Sequence, residues 1–480
     1  MKKINFSFSL LLFLIFIFSG LVYPQLMRKA PLLIFNGHNT EMEVVWQLNS
    51  TDTCRIDWGT DTLYSFGGEQ IYEYGTDHQF SYTITNLIPS AKYYYRVTAG
   101  QEFYTGTFHS APDSTADSVS FFAYGDTRSN PGTHNQVANE MLAIYNEDPE
   151  FQSIIISVGD LVYNGDIESY WDNEFFDPSY SGIQEMLADM PYQSCMGNHE
   201  GSGVLFKKYF PYPFVNGRYW SFDYGPAHFV VVDQYTSYTP GSAQLTWIQN
   251  DLASTTKPWK FIYLHEPGWS AGGHSNNTNV QNYIQPLCVQ YNVPIVFGGH
   301  NHYYARALVD GIEHITTGGG GAPLYQPDIT YPHIVTATKA NHFCKIQIKN
   351  GVLKFTAINL SGAIIDSFTV LNPLVGVGPG KETTPQKYML SNTYPNPFNP
   401  STTINYSIPQ SGFVSLKIYD ALGKEVATLV NEYKPAGNYS EEFSAMNGSG
   451  KTTSVLPSGI YFYQLKSGSF IETKKMILLK

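Results

Sequence analysis

The most constraining feature of this chain is a series of apolar, strand-like runs that each end in a polar residue able to bind a metal ion. Four of the five ends reach that residue through a glycine, and helix-like segments such as residues 136–145 and 244–252 lie between the runs. Such alternation is typical of an α/β fold. The polar residues at or just after the five ends are Asp126, Asp160, Tyr163, Asn198, His265, His300 and His302.

These side chains are expected to share one rim, because ligands in open α/β sheets bind beyond the carboxyl ends of the strands. A single catalytic zinc ion usually takes three protein ligands, whereas two cations about 3.5–4 Å apart need a bridging carboxylate and further nitrogen and oxygen donors. Seven donors therefore favour a two-metal site. Any one motif alone also fits an ordinary turn or a buried polar group, so the prediction depends on their combination.

Changes in pattern divide the 480 residues into several parts, so the fold class is multidomain. Short alternating runs from residue 32 to 110 indicate a small antiparallel β-sandwich. After the α/β region, a stretch rich in Pro, Gly and Thr precedes hairpin-like strands that contain no His or Cys. The predicted parts are a signal peptide at 1–25, a β-sandwich at 26–112, an α/β domain at 113–372, a linker at 373–390 and a small all-β domain at 391–480.

The N-terminus indicates export. Lys2 and Lys3 precede an apolar run from Leu10 to Phe18, which is shorter than the ~20 residues needed to cross a bilayer. We therefore predict a cleaved signal peptide and a mature chain without a transmembrane segment. The net charge of −12 argues against nucleic acid or an anionic membrane surface as the main partner.

The four cysteines are too few for a disulfide scaffold, and none has CxxC spacing. A thiolate zinc site is therefore not expected. The cysteines fit the role of small buried hydrophobic residues. A bridge between Cys288 and Cys344 stays open on the sequence alone.

Together the motifs resemble those of calcineurin-like metallophosphoesterases and, within them, of the purple acid phosphatases. Tyr163 follows Asp160 by three residues, Glu200 completes a Gly-Asn-His-Glu motif, and residues 299–306 are similar to the family's Gly-His-x-His-Ala-Tyr-Glu-Arg. The β-sandwich at 26–112 resembles a fibronectin type III domain, particularly at residues 87–97 near its end, and plant enzymes of this family also carry such a domain. The resemblance implies that the α/β domain consists of two packed mixed sheets flanked by helices.

The resemblance also implies how the ligands divide between two metal ions. Asp126, Tyr163 and His302 would hold the first ion, Asn198, His265 and His300 the second, and Asp160 would bridge them. Because a phenolate is a hard anionic donor, the first ion would be Fe(III), and the second would be divalent Zn, Fe or Mn.

A secreted acid phosphatase is the function that the resemblance implies. A metal-activated hydroxide would attack the phosphorus of a phosphomonoester, and His199 and His274 would bind phosphoryl oxygens or protonate the leaving group. A phosphodiesterase or nucleotidase on the same metal core is the alternative among enzymes. A surface-displayed binding or adhesion protein that uses the fold as a scaffold is the alternative outside them.

Three positions depart from the family's pattern. Arg128 stands where the family usually has a small residue, Glu266 where plant enzymes have Ser, and Ala305 where they have Glu. Arg128 either clamps the substrate phosphate in a bidentate manner or pairs with a surface carboxylate. These changes leave the metal ligands intact and leave the substrate preference open.

The C-terminal segment resembles the type A sorting domain that the type IX secretion machinery reads. The matching features are Tyr394–Phe398, the turn Leu422–Val426 and the segment Pro457–Phe462. This resemblance implies a protein that is secreted or held at the cell surface, with a phosphate ester as substrate and the secretion machinery as partner.

Overall fold

The computed structural model describes residues 26–148, 153–372, 387–391, 393, 395–434, 437–445 and 456–479. The chain divides into two compact units, residues 1–375 and 376–480. The predicted signal peptide and most of the predicted linker lie outside the described residues. The domain boundaries proposed from the sequence stay predictions.

The first unit begins with the predicted β-sandwich. One sheet has the strand order β1-β2-β5 and the other β4-β3-β6-β7. Alternating side chains such as Tyr93, Tyr95 and Val97 on β6 point into the core between the sheets, where Trp46 stacks on Phe80. The strands are β1 Met27–Ile34, β2 Met42–Leu48, β3 Cys54–Gly59, β4 Gly67–Ile71, β5 Gln79–Ile84, β6 Lys92–Ala99 and β7 Glu102–His109.

The α/β region follows as two mixed sheets with helices, which confirms the predicted fold class. Its strands are β8 Ser118–Tyr124, β9 Ser153–Ser157, β10 Tyr192–Ser194, β11 Trp220–Tyr224, β12 Ala227–Val231, β13 Trp259–Tyr263, β14 Ile295–Gly298, β15 Tyr304–Val309, β16 Ile312–Thr317, β17 Ile334–Thr338, β18 His342–Lys349, β19 Val352–Asn359 and β20 Ile364–Leu371. Its helices are α1 Pro131–Glu147, α2 Glu168–Tyr170, α3 Ser181–Asp189, α4 Val204–Tyr209, α5 Ala243–Ser254 and α6 Gln285–Tyr291, with π-helical turns at Trp171–Phe175 and Val280–Ile284 and a 3₁₀ turn at Asn198–Glu200.

The two sheets pack face to face through aromatic side chains. The strand orders are β10-β9-β8-β18-β19-β20 and β11-β12-β13-β14-β16-β15-β17. Phe121 on β8 contacts Phe229, Phe261 and Phe297 of the other sheet edge-on. Strands buried on both faces read as continuous apolar runs, and this accounts for the apolar stretches of the sequence.

Parallel pairing brings the motif-bearing strand ends to a common edge in each sheet. Strands β8, β9 and β10 are parallel neighbours in one sheet, and β13 and β14 are parallel neighbours in the other. Their carboxyl ends therefore lead into loops on the same side, where an α/β sheet binds its ligands.

A buried lysine joins the sandwich to the α/β region. Lys29 on β1 is 2% exposed, and its Nζ lies 2.9 Å from Glu168 Oε1 and 2.6 Å from Asp172 Oδ1. Arg28 pairs with the same two carboxylates. The ammonium of Lys29 also lies 4.6 Å from the ring centroid of Tyr209. These partners compensate a charge that would otherwise be unfavourable to bury.

The second unit is all-β, as predicted. Its two sheets have the orders β21-β22-β25 and β24-β23-β26-β27 and enclose an apolar core that includes Leu416, Ile418 and Tyr463. The strands are β21 Met389–Leu390, β22 Ser401–Ile408, β23 Gly412–Asp420, β24 Glu425–Lys434, β25 Gly437–Ser444, β26 Gly459–Ser467 and β27 Phe470–Leu478.

The four cysteines are buried and unpaired, so Cys288 and Cys344 form no bridge. They have the role of small buried side chains that the sequence indicated. Among the residues that the structure describes, no helix has both the length and the apolar character needed to span a membrane.

Lys29→Ala is expected to lower the free energy of unfolding of the first unit by about 2 kcal/mol, because it removes a buried ammonium and its hydrogen bonds to two partly buried carboxylates, which then keep Arg28 as a partner. Urea denaturation followed by tryptophan fluorescence measures the change. Arg55→Ala is the control, since Arg55 is half exposed and its pair with Asp57 contributes about 0–1 kcal/mol. Equal effects of the two substitutions would contradict the role of Lys29.

Candidate metal centre

Three of the ligand candidates stand on left-handed backbone. Asp126, Asp160 and His300 have φ angles of 56°, 56° and 64°. They follow closely on the ends of β8, β9 and β14. A residue other than glycine is strained in this conformation, and such strain concentrates at functional sites. The tight reversal keeps these side chains at the carboxyl edge of the sheets.

Five side chains from the two sheets meet in one cluster. Ligand atoms of Asp160, His265 and His300 lie within 4.8 Å of one another, and so do those of Asp126, Asp160 and His302. His300 is partly exposed and the other four are buried. Asp160 belongs to both groups, which is the arrangement needed for one carboxylate to bridge two cations.

Glycine is required where the strand-end loops touch. A Cβ at Gly197 would overlap the carboxylate of Asp160, and a Cβ at Gly299 would overlap that of Asp126. The Gly-Asn-His and Gly-His-x-His motifs therefore carry glycine because each packs its backbone against a carboxylate from another strand. Backbone N–H groups at this contact also donate to the carboxylates, from His199 to Asp160 and from His300 to Asp126.

Backbone carbonyls fix the orientation of two histidines. Nδ1 of His265 lies 2.7 Å from the carbonyl oxygen of Val158, and Nδ1 of His302 lies 2.8 Å from that of Pro323. A proton on Nδ1 that is donated to a carbonyl leaves Nε2 free as the metal ligand. Nε2 of His265 faces Asp160, and Nε2 of His302 faces Asp126, at 3.3 and 3.5 Å.

Asn198 and His300 approach the same nitrogen of His265. The Oδ1 atom of Asn198 lies 3.1 Å from Nε2 of His265, and Nδ1 of His300 lies 3.2 Å from it. The structure thus brings six of the seven predicted ligands together. An oxygen and nitrogen set of this kind fits borderline and hard cations such as Zn, Mn and Fe.

The electrostatics of the cluster follow from burial of two carboxylates. Burial raises the pKa of Asp160, but the charges and hydrogen bonds of His265 and His199 together lower it below its usual range, so the carboxylate stays charged. Burial lowers the pKa of His265, yet Asp160 raises it to about 10. Burial and the charge of His265 lower the pKa of His300 to about 3. A cation that binds here therefore displaces a proton from His265.

Arg128 points into this cluster. Its Nε lies 3.4 Å from Asp160 Oδ2, and one terminal nitrogen lies 3.4 Å from His302 Nε2. The carboxylate that pairs with Arg128 is thus the buried Asp160 and not a surface carboxylate, while the clamping of substrate phosphate stays a prediction. The guanidinium and a cation would compete for the same nitrogen of His302.

Tyr163 is the seventh predicted ligand and stands apart from the other six. Its side chain is 50% exposed, and its ring packs against Tyr170 and His199 with centroids 5.4 and 5.7 Å away. Its N–H donates to Glu174 and its carbonyl accepts from His199. Within the described residues its phenol oxygen has no hydrogen bond. Phenolate ligation stays a prediction from the sequence.

His199 and His274 flank the cluster on different sides. Nε2 of His199 lies 3.9 Å from Asp160 Oδ2, while its Nδ1 is held by the Tyr163 carbonyl. The ring of His274 lies over that of His300, with centroids 4.0 Å apart. The backbone N–H of His274 donates to Oδ1 of Asn301. Both imidazoles are therefore within reach of a group bound over the ligands.

Two further residues at the site were not assigned a role from the sequence. Glu200 is fully buried and accepts the N–H groups of Asp160, Leu161 and Gly197, so it ties two strand-end loops together. Burial and the charge of Asp160 raise its pKa to about 7. Tyr325 stacks on His302. The Gly-Asn-His-Glu motif signalled Glu200, whereas only tertiary structure reveals Tyr325.

Comparison with known proteins gives two family matches. Residues 120–304 match the model of the calcineurin-like phosphoesterase family, a range that contains all seven predicted ligands. Residues 392–479 match that of the secretion system C-terminal sorting domain.

Individual relatives match more than half of the chain. A purple acid phosphatase of Glycine max is 27% identical over 283 residues, which are 55% of this chain and 58% of that protein. Acid phosphatase type 7 of Mus musculus is 25% identical over 418 residues, 74% of this chain and 93% of that protein. The structure of a purple acid phosphatase from seeds of Lupinus luteus superposes with a TM-score of 0.59 at 20% identity, covering 72% of this chain and 74% of the other, so the fold is shared. The chain spans less than two thirds of the length of the soybean protein.

Glu200→Gln is expected to weaken metal binding about 10–100-fold, because an amide cannot accept on both sides and the loops that carry Asp160 and Asn198 lose their common anchor. Metal titration of the chelator-treated protein measures the affinity. Glu69→Gln is the control, since it makes the same change at a glutamate that is exposed on β4 of the sandwich and lies outside the ligand loops. Unchanged affinity in the Glu200 variant would contradict its role.

Proposed function

As a chain that carries a calcineurin-like phosphoesterase domain and a secretion sorting domain, this protein is, we propose, an exported phosphatase that hydrolyses phosphate monoesters at a two-metal centre. The observation that carries the proposal is the position of Asp160 in two overlapping groups of ligand atoms. A carboxylate in that position would bridge two cations, and a pair of cations is suited to phosphoryl transfer.

The donor set fits such a pair of cations. The first group would consist of Asp126, Asp160 and His302, and the second of Asp160, His265, His300 and Asn198. Carboxylate and amide oxygens with neutral imidazoles suit Zn, Mn and Fe. When bound, the two ions neutralise phosphoryl oxygens and lower the pKa of a nearby water.

The residues around the ligands would bind and orient the ester. His199 has its Nδ1 held by a carbonyl, so Nε2 is the atom that can hydrogen-bond a phosphoryl oxygen or donate a proton to the leaving group. His274 lies against His300. It would either donate a proton to the leaving group or hydrogen-bond a phosphoryl oxygen. Arg128 would bind a phosphoryl oxygen, because a guanidinium matches phosphate geometry.

Export is the second part of the proposal. The match of residues 392–479 to a sorting domain supports secretion or surface display through the type IX machinery. The predicted signal peptide at 1–25 would direct the first step of that route. The sorting unit contains no His or Cys, so it has no evident catalytic role.

The metal-loaded full chain is expected to hydrolyse an aryl phosphate monoester with a higher kcat/KM than the corresponding diester. Asp160→Asn should lower kcat/KM about 10³-fold or more, because it removes the shared negative charge and several kcal/mol of metal-dependent stabilisation. Steady-state kinetics with both esters measures these changes.

Asp61→Asn is the matched control and should keep wild-type kinetics, because Asp61 is exposed in a turn of the β-sandwich and lies outside the cluster. Preference for the diester would favour a phosphodiesterase or nucleotidase. Wild-type turnover by the Asp160 variant would contradict the two-metal mechanism, and the absence of any ester hydrolysis would favour a binding or adhesion protein.

The identity of the first ion depends on Tyr163. If its ring turns from Tyr170 to the cluster, the phenolate favours Fe(III), and iron-loaded protein is expected to show a visible charge-transfer band. Tyr163→Phe should abolish the band while the other six ligands retain two metal ions. Absorption spectra with metal analysis test this, and Tyr170→Phe is the control. A colourless iron-loaded wild type would contradict the phenolate and leave the remaining ligands unaffected.

A further inference from the structure

Tyr325 covers one of the proposed metal ligands. Its ring stacks on the ring of His302 with centroids 4.3 Å apart and an angle of 25°. Its hydroxyl lies 3.3 Å from Nε2 of His274, whose own ring lies over His300. The rings of Tyr325 and His274 thus cover His302 and His300, respectively. These two histidines belong to different groups of ligand atoms.

The position of Tyr325 is fixed by backbone contacts. Its N–H donates to the carbonyl of His302 at 3.0 Å, and Nδ1 of His302 is held by the carbonyl of Pro323 at 2.8 Å. On the other side, a Cβ at Gly273 would press against the Tyr325 ring and the carboxamide of Asn301. The loop before β17 therefore holds the phenol in one place relative to the ligands.

Three hydrogen-bond donors converge beside the cluster. The guanidinium of Arg128 lies 3.4 Å from His302 Nε2 and interacts with the Tyr325 hydroxyl. The Tyr325 hydroxyl and the His274 imidazole complete the group. A guanidinium, a phenol and an imidazole all donate hydrogen bonds, and a phosphoryl group offers several anionic acceptor oxygens in a small volume.

We propose that Tyr325 is a substrate-binding residue whose hydroxyl donates a hydrogen bond to a phosphoryl oxygen, next to Arg128 and His274. This inference rests on the proposed function, since the ester is taken to bind over the metal ligands. It adds a residue from the loop after β16 to a site otherwise built from strand ends. The aromatic ring has a second task, which is to hold the His302 imidazole by stacking.

Tyr325→Phe separates the two tasks, because phenylalanine keeps the ring and removes the hydroxyl. The metal-loaded full chain with this change is expected to bind inorganic phosphate about tenfold more weakly and to show a higher KM for an aryl monoester with a smaller change in kcat. Its metal content should equal that of the wild type. Titration calorimetry, kinetics and metal analysis measure the three quantities.

Tyr331→Phe is the matched control, because Tyr331 lies on the same loop and its ring faces Gly272 and not the cluster. It should bind phosphate as the wild type does. If Tyr325→Phe also binds phosphate and monoester with wild-type Kd and KM, the inference is wrong. Tyr325→Leu removes the ring as well and should additionally lower the metal content.

A double substitution tests whether Tyr325 acts only by holding His274. If the phosphate affinity of His274→Ala is unchanged by adding Tyr325→Phe, the hydroxyl acts through His274 and does not contact substrate, which overturns the inference. An additional loss of about tenfold supports direct contact. Phosphate binding needs no turnover, so this result stands even if the wild type hydrolyses no ester and the proposed function fails.

Discussion

The structure of the site depends on the burial of two carboxylates, Asp126 and Asp160, at the junction of two packed sheets. Like charges that are shielded from water repel strongly, so each must be compensated by groups fixed in place. Backbone N–H groups of His199 and His300 donate to them, and the protonated His265 and Arg128 supply positive charge. The left-handed turns and the close-packed glycines are the backbone geometry that lets these groups converge.

The fold supplies this convergence through strand direction. Asp126 and His300 are 174 residues apart in the chain, yet the N–H of one residue reaches the carboxylate of the other. The two sheets each contribute parallel strands, and the aromatic contacts of Phe121 hold those sheets face to face. The apolar core thus sets the distance between ligand groups that come from different sheets. Glu200 holds the loop after β9 and the loop after β10 next to each other, because it accepts backbone N–H groups from both.

Much of the fold, and the clustering of six of the seven proposed ligands, could be predicted from the sequence, because strands and tight turns have recognisable local sequence patterns. Buried parallel strands read as apolar runs, and a turn that must approach a carboxylate needs glycine, as at Gly197 and Gly299. The sequence does not show which carboxylate pairs with Arg128, because a surface aspartate and the buried Asp160 are the same residue type. Tyr325 was missed because its contact with His302 depends on the path of a loop. The half-exposed ring of Tyr163 shows that spacing within a motif does not by itself fix where a side chain points.

Arg128 provides the site with a permanent counter-charge that belongs to the chain itself. A guanidinium carries a fixed positive charge, so Asp160 has a cationic partner that does not depend on a metal ion. Burial of Asp160 is therefore compensated in part by the chain itself, in contrast to zinc fingers, which are unfolded without their ion. An ion that occupied the cluster would therefore replace an existing positive partner of Asp160, and its identity would depend on metal supply as well as on the donor atoms.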